Sequence, residues 1–523
     1  MVNSPKGRPG VVGGSRRCPK TPNQATLLAA STTNHAGTSS ADAVPQAPGR
    51  KALAWPIGIY TNMPALLVVL ALLLLSGRRE FLHASSSLSS DPRLRSRYEK
   101  LVNSHLQATQ ALASGIHSLP DTKMSFAATQ AAFRFFKNER LTLRQRVRPL
   151  IKAGRQEAQS ACDRYLLVVH DWSQLMYPGH TSKRDRVMLS SKHEPEGYEL
   201  QTALLVSDRE GSPLTPVAIG LRAGDGVHCS RLGGVRPAES PLDEILPVMG
   251  FLEKQKLGFP LVHILDAEAD SVDHYRQWSA SPERYFLVRA DDRIVEYEST
   301  EIRCSAVHQR LRDRDAFRLT REVQHHGQSA SQWVAEAPVR RLRPAQRNRP
   351  GRGDRRRIPG RPLPLRLIIS EIRDAEGRVL ATWYLLTNVP SDVDASTLAL
   401  WYYFRWRIES YFKLRKTAGM NVESWQQTSA EAIARRLLVA SMACVTVWRL
   451  ARSEHPEATP ARRLLVRLSG RQMKKGCEFT MPSQLAGLWT LLAILQVLET
   501  HSFEQLQALA AAVFPIDPLG QPP

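Results

Sequence analysis

From residue 164 onward, short apolar runs alternate with polar breaks. RYLLVVHD (164–171), YELQTALLVSD (198–208) and PLTPVAIGLRAG (213–224) predict three consecutive strands, the last two joined by the hairpin-type link REGS. LDEILPVMGFLEKQKLG (242–258) predicts a helix closed by Gly258, and PLVHILD (260–266) a strand ending in Asp266. A helix over ADSVDHYRQW (269–278) and a strand over RYFLVRADD (284–292) follow. Three strands, helix, strand, helix, strand is the rhythm of an α/β unit.

On both sides the pattern changes. DPRLRSRYEKLVNSHLQATQALASGI (91–116) and SFAATQAAFRFFKNERLTL (125–143) have helical periodicity and suit a small helical DNA-binding domain. Residues 291–390 interrupt the α/β rhythm as an insertion, with a block dense in Arg, Pro and Gly at 340–366 that predicts a mobile basic loop. PLRLIISEIR and VLATWYLLTN then flank a DAEG turn and predict a hairpin. SDVDASTLALWYYFRWRIESYFKLRK (391–416) predicts one long helix with Ser391 or Asp392 as N-cap. The remainder is amphipathic helix that suits dimerisation. The expected layout is an extension at 1–90, a helical domain at 91–155, a core at 156–425 and a helical C-terminal domain at 426–523.

Composition bears on partners. The 523 residues carry a formal net charge of +22, which suits a polyanion such as nucleic acid. Six scattered cysteines form no CxxC and no cluster with histidine, which points to a reducing compartment. Residues 1–50 lack core-forming composition. The uncharged run between Lys51 and Arg78 is broken by Pro56, Gly58 and Pro64. The expectation there is a start codon assigned too far upstream, with no membrane partner.

The candidate chemistry lies in FRWRIESYFKLRK (404–416) and at two strand ends. On a helix at about 100° per residue, Tyr402, Arg405, Glu409, Lys413 and Lys416 fall on one narrow face about 21 Å long. Glu409 can simply neutralise Arg405 through an i,i+4 pair. Asp171 and Asp266, however, each follow an apolar strand run, where α/β sheets bind ligands. If those strands are neighbours, Asp171, Asp266 and Glu409 make an oxygen-rich site for Mg²⁺ or Mn²⁺, two ions per site, suited to phosphodiester cleavage. The cations beside Glu409 then bind the phosphates of the strand being cut.

The spacing Tyr402-(2)-Arg405-(3)-Glu409-(6)-Lys416 resembles the Y-(2)-R-(3)-E-(6)-K signature of the insertion-sequence-four family of DDE transposases, with RWRIE (405–409) close to its Tn-five-like members. DAEAD (266–270) resembles the family's second-aspartate motif, with Ala267 in place of the usual Arg. YFLVRA puts Arg289 at a DNA-contacting arginine, and TWYLLT puts Trp383 at a tryptophan that stacks on a flipped base. AFRFFKN (132–138), with Arg134 and Lys137, resembles the conserved part of the N-terminal DNA-binding domain. The resemblance covers about residues 91–523. It implies an RNase H-like mixed-sheet core with a β-rich insertion, a D-D-E triad of Asp171, Asp266 and Glu409, and cut-and-paste transposition through nick, hairpin and strand transfer. It further implies a homodimer on double-stranded DNA (end repeats and target) in the bacterial cytoplasm, associated with the nucleoid. A catalytically inactive, repurposed DNA-binding relative is the alternative.

Overall fold

The computed structural model of the protein describes residues 84–106, 125–189, 196–237, 240–348, 355–416 and 419–513. The hydrophobic run before Arg78 and the start-codon expectation lie outside them.

Among the described residues, the helices α1 (Pro92–Leu106), α2 (Ser125–Lys137) and α3 (Leu143–Ala161) precede the sheet. Thr142 caps α3 in a reciprocal box with Gln145, which satisfies two backbone donors the helix would otherwise leave open. The sheet begins with β1 (Leu166–Met176), β2 (Val187–Met188), β3 (Glu196–Ser207), β4 (Pro213–Ala223), β5 (Gly226–Cys229) and β6 (Val235–Arg236). After α4 (Ile245–Glu253) come β7 (Leu261–Leu265), α5 (Val272–Trp278) and β8 (Tyr285–Ala290). The expected order of elements is therefore present, with β2, β5 and β6 as short additions.

In the sheet the order β4-β3-β1-β7-β8 runs side by side. β1, β7 and β8 are mutually parallel, and β3 and β4 are antiparallel to their neighbours. The apolar runs fit this position, since strands covered on both faces need apolar side chains on both. Alternation divides them: Val262, Ile264 and Leu287 join one buried cluster, while Leu265, Phe286 and Val288 join the other across the sheet.

The insertion continues the same sheet. β9 (Ile294–Tyr297), β10 (Thr300–Arg303), α6 (Cys304–Asp313), β11 (Arg318–His325) and β12 (Gln328–Arg341) lead to β13 (Ala345–Asn348), β14 (Arg355–Ile358), β15 (Leu363–Arg373) and β16 (Val379–Thr387). β16 closes onto β8 in antiparallel register. The basic block is thus not simply a loop. β13 and β14 pair as a hairpin, and Arg340, Arg343 and Arg366 form ion pairs with Glu296, Glu301 and Glu336. Several of its arginines, such as Arg340, Arg341, Arg347 and Arg355, are themselves strand residues, so backbone pairing and acidic partners order much of a segment whose composition alone suggests mobility.

The expected long helix is two, α7 (Ala395–Phe404) and α8 (Arg407–Arg415). The N-cap is Asp394, whose carboxylate accepts from Thr397 N–H at 2.9 Å, rather than Ser391 or Asp392. Asp392 is drawn away to Arg164, and a turn from Pro390 to Val393 delays the helix start. Then follow α9 (Ala430–Arg452), α10 (Ala458–Leu468), α11 (Met481–Leu498) and α12 (Phe503–Val513). α9 is buried along most of its length, and one apolar cluster joins it to α1, α2, α3 and the sheet. α11 is long and apolar enough to cross a membrane by length and composition; its buried residues pack in the same cluster. Cys162, Cys229, Cys304, Cys444 and Cys477 are free thiols.

Candidate functional site: three carboxylates on one guanidinium

β1 does not stop at Asp171, as its apolar run suggests. It continues to Met176 because its second half pairs with β3 alone, with Asp171 opposite Thr202. Its parallel pairing with β7 ends at Val169↔Ile264, which puts Asp171 and Asp266 at matching positions just beyond the last pair. Two carboxylates therefore project from one edge of two adjacent parallel strands. Asp171 Oδ1 accepts from Trp172 N–H at 2.8 Å, and Asp266 Oδ1 accepts from Ala267 N–H at 2.7 Å, where it caps a short 3₁₀ turn.

The third carboxylate arrives through the break between α7 and α8. There the backbone bonds run i to i+3: Arg405 N–H to Tyr402 O at 3.1 Å, Trp406 N–H to Tyr403 O at 3.3 Å and Ile408 N–H to Arg405 O at 3.2 Å. This tighter winding ends the 100° phase on which the five-residue face was built. Tyr402 and Arg405 turn inward, at 2% and 4% exposure, while Glu409 and Lys413 stay exposed.

Arg405 is the centre of the cluster. Its Nη1 donates to Asp171 Oδ2 at 2.9 Å, and its Nη2 lies 3.2 Å from Asp266 Oδ2 and 3.9 Å from Glu409 Oε1. The i,i+4 contact with Glu409 is thus the longest of the three, and the closer partners come from distant parts of the chain. Arg289 on β8 holds Asp266 from the other side, Nε to Oδ1 at 3.0 Å. The Tyr402 hydroxyl also donates to Asp266 Oδ1, at 3.3 Å. Trp383 on β16, half-buried, packs its ring 6.3 Å from that of Tyr402. Lys416 does not reach the carboxylates; it donates to Gln174 O and lies 3.7 Å from Glu423, fastening the end of α8 to β1.

The electrostatics follow from this geometry. Burial pushes the Asp171 carboxyl up to about 6, against the pull of Arg405 and the Trp172 N–H and with the push of Asp266 and Glu268. Glu409 is raised by burial, opposed by Arg405 and reinforced by Asp171 and Asp266. Burial would lower Arg405, but Tyr402 and the three carboxylates outweigh it and hold the guanidinium above its ordinary value. Two guanidinium groups stand against three carboxylates, so the edge keeps a formal excess of negative charge.

Glu268 belongs to this edge too. It is raised by burial and by Asp266, opposed by the nearby Trp172 side chain. DAEAD carries that signal in plain sight, although its position suggests helix capping. The Asp270 carboxylate is buried and accepts from the Tyr275 hydroxyl, Arg293 Nε and the Asp291 N–H. His170, next to Asp171, points elsewhere and hydrogen-bonds His263 at 2.8 Å, with burial pushing it down to about 3. Arg134 and Lys137 are exposed on α2, while Phe135 and Phe136 beside them are buried; no contact joins these two cations to the carboxylate edge among the described residues.

Among the described residues, the set of three candidate metal-ligating side chains whose ligand atoms all lie within 4.8 Å of one another is Asp185, Asp225 and His228. Asp171, Asp266 and Glu409 stand wider apart, each turned to Arg405. Asp185 already has structural partners, since it accepts from Tyr198 Oη at 2.5 Å and from Ala430 N–H at 2.6 Å, at the start of α9. The oxygen-only donors of Asp171, Asp266 and Glu409 suit Mg²⁺ or Mn²⁺ better than a set that includes the His228 imidazole. No family model matches the chain, and no curated protein matches its sequence.

Proposed function

We propose that the protein is a DNA-cleaving and strand-transferring enzyme, a cut-and-paste transposase whose acidic triad is Asp171, Asp266 and Glu409. The observation that carries the reading is the convergence of three carboxylates, from β1, from the end of β7 and from α8, on a single guanidinium. Sequence positions 95 and 143 residues apart have no local reason to meet, as the numbering of Asp171, Asp266 and Glu409 makes plain. The strand order β4-β3-β1-β7-β8, with β1, β7 and β8 parallel, supports an RNase H-like core, with β9 to β16 as the β-rich insertion.

The three carboxylates would hold Mg²⁺ or Mn²⁺, which supplies activation of a water and stabilisation of a leaving oxygen when bound. The chain's own groups do the rest. Arg289 and Arg405 are forks that match phosphate oxygens. Lys413, exposed one turn beyond Glu409, offers a further phosphate contact. Trp383 presents an aromatic face beside Tyr402, suited to stack on a base extruded at a hairpin bend. Arg134 and Lys137 on α2 offer phosphate contacts away from the cut. Exposed Ile494, Leu498, Phe503 and Leu509 on α11 and α12 support pairing of two copies on DNA.

The reading is tested by incubating the full chain with duplexes carrying the repeats that flank its reading frame, in Mg²⁺ or Mn²⁺. Nicks followed by hairpin ends are expected for the native chain. Asp171→Asn, Asp266→Asn and Glu409→Gln should each abolish both products while sparing binding to the duplex. Cleavage that survives these changes contradicts the assignment.

A further inference from the structure

We propose that Arg405 is a built-in counter-cation that competes with divalent metal for Asp171, Asp266 and Glu409, and that a DNA phosphate draws it off, so that the site loads metal in response to DNA. The inference rests on the function proposed above.

The observations begin with position. Both terminal nitrogens of Arg405 are spent on the three carboxylates, and no other cation contacts Asp171 or Glu409 among the described residues. The guanidinium is the innermost part of the cluster: its side chain is 5% exposed, against 20%, 30% and 44% for Asp171, Asp266 and Glu409. Metal approaching from solvent reaches the carboxylates, but their inner oxygens face a cation already in place. That cation cannot leave by losing its proton, because a guanidinium stays charged at any physiological pH.

Arg405 is also incompletely satisfied where it sits. Its Nε is buried without a hydrogen-bond partner, a state that costs free energy and is relieved by any acceptor that reaches it. A phosphodiester offers two charged oxygens to the guanidinium fork, a geometry that separate carboxylates on three elements do not reproduce. The tight turn at 402–408 supplies the hinge: its i to i+3 bonds join two short helices rather than one rigid rod.

A site whose binding-competent form is held back by an internal ion has its apparent affinity lowered by the competent fraction. DNA that takes up the guanidinium raises that fraction, and by linkage metal then tightens DNA binding by the same factor. The device prevents a metal-loaded nuclease centre from standing open in the absence of a bound strand.

The test is Mn²⁺ binding to the full chain, measured from the free-ion electron paramagnetic resonance signal, with and without a short blunt duplex. Without DNA, Arg405→Gln should bind Mn²⁺ about tenfold more tightly than the native chain, within the usual range of site coupling. The duplex should tighten Mn²⁺ binding to the native chain and leave Arg405→Gln unchanged. Arg405→Lys, which keeps charge without the fork and protects the fold, should fall between them. Adding Asp171→Asn to either variant should remove the gain. Equal Mn²⁺ affinity in the native chain and both variants overturns the inference while leaving the metal site standing. Binding insensitive to Asp171→Asn overturns the metal site itself, and the inference with it.

Discussion

Arg405 Nη1 donates to Asp171 Oδ2 at 2.9 Å, across 234 residues of chain, with both side chains largely withdrawn from solvent. This bond ties the kink between α7 and α8 to the centre of the sheet. Removing one partner leaves a buried charge without compensation, which typically costs about 3–5 kcal/mol for a buried pair. Arg405→Gln should therefore lower the denaturant midpoint in metal-free buffer. Asp171→Asn in the same background should recover part of the loss, with a coupling of about 1–3 kcal/mol. Additive losses in the double-mutant cycle would mean that the two groups do not interact in solution.

A second contact fixes the same kink from the other side. Gly211, in the turn between β3 and β4, has φ +65°, and a Cβ there would meet the Phe404 ring at 2.2 Å. Phe404 is the last residue of α7 and directly precedes Arg405. Gly211→Ala combines left-handed strain with overpacking, and overpacking alone costs about 1–3 kcal/mol. A lower unfolding midpoint is expected, together with weaker cleavage in the assay of the proposed activity, although Gly211 touches none of the carboxylates. Unchanged stability would show that the turn adjusts freely and does not position Phe404.

The start of α7 has its own pH signature. Asp394 is held down at about 2: burial raises it, but bonds from Ser396 and Thr397 together outweigh that. A carboxyl depressed in the folded state adds stability above its ordinary value, and that contribution fades as pH falls from about 4 toward about 2. Asp394→Ala should cost about 1 kcal/mol at neutral pH, the usual worth of an N-cap. The gap between native and variant midpoints should narrow as the buffer is taken below pH 4. A gap independent of pH would exclude the ionised cap.

Arg134 and Lys137 make a prediction that separates binding from chemistry. Both are exposed on α2, so Arg134→Ala and Lys137→Ala should leave the unfolding midpoint within about 0.5 kcal/mol of native. If each meets one phosphate, each should lower the slope of log affinity against log salt by about 1. A fluorescence-anisotropy titration at several salt concentrations measures this. An unchanged slope in the double variant would remove α2 from the DNA surface.

How much of this was legible in the sequence depends on range. Apolar runs placed β1, β3, β4, β7 and β8, and polar residues at two of their ends flagged Asp171 and Asp266, because burial on both faces leaves few other ways to write a central strand. The neighbouring of β1 and β7 is only a condition at the level of sequence, since pairing is settled by packing rather than by local pattern. The straight face from Tyr402 to Lys416 failed for a related reason. Nothing in WYYFRWRIE demands a break, and the i to i+3 turn follows from Arg405 reaching two distant aspartates. Composition marks the block at 340–366 as a mobile loop because it counts arginines without the glutamates that Arg340, Arg343 and Arg366 meet, Glu296, Glu301 and Glu336. Glu268 stands openly in DAEAD, but its neighbour Trp172 comes from β1, a proximity no local pattern carries.

The central claim is that Asp171, Asp266 and Glu409 jointly hold divalent cations against a DNA strand. The most direct test replaces the native ion with Fe²⁺ in the full chain bound to a duplex, adds ascorbate and peroxide, and maps the polypeptide cuts by mass spectrometry. The account predicts cuts clustered around residues 171, 266 and 409, suppressed by excess Mg²⁺ and lost in Asp171→Asn. Cuts clustered instead around Asp185, Asp225 and His228, or unaffected by Asp171→Asn, would contradict it.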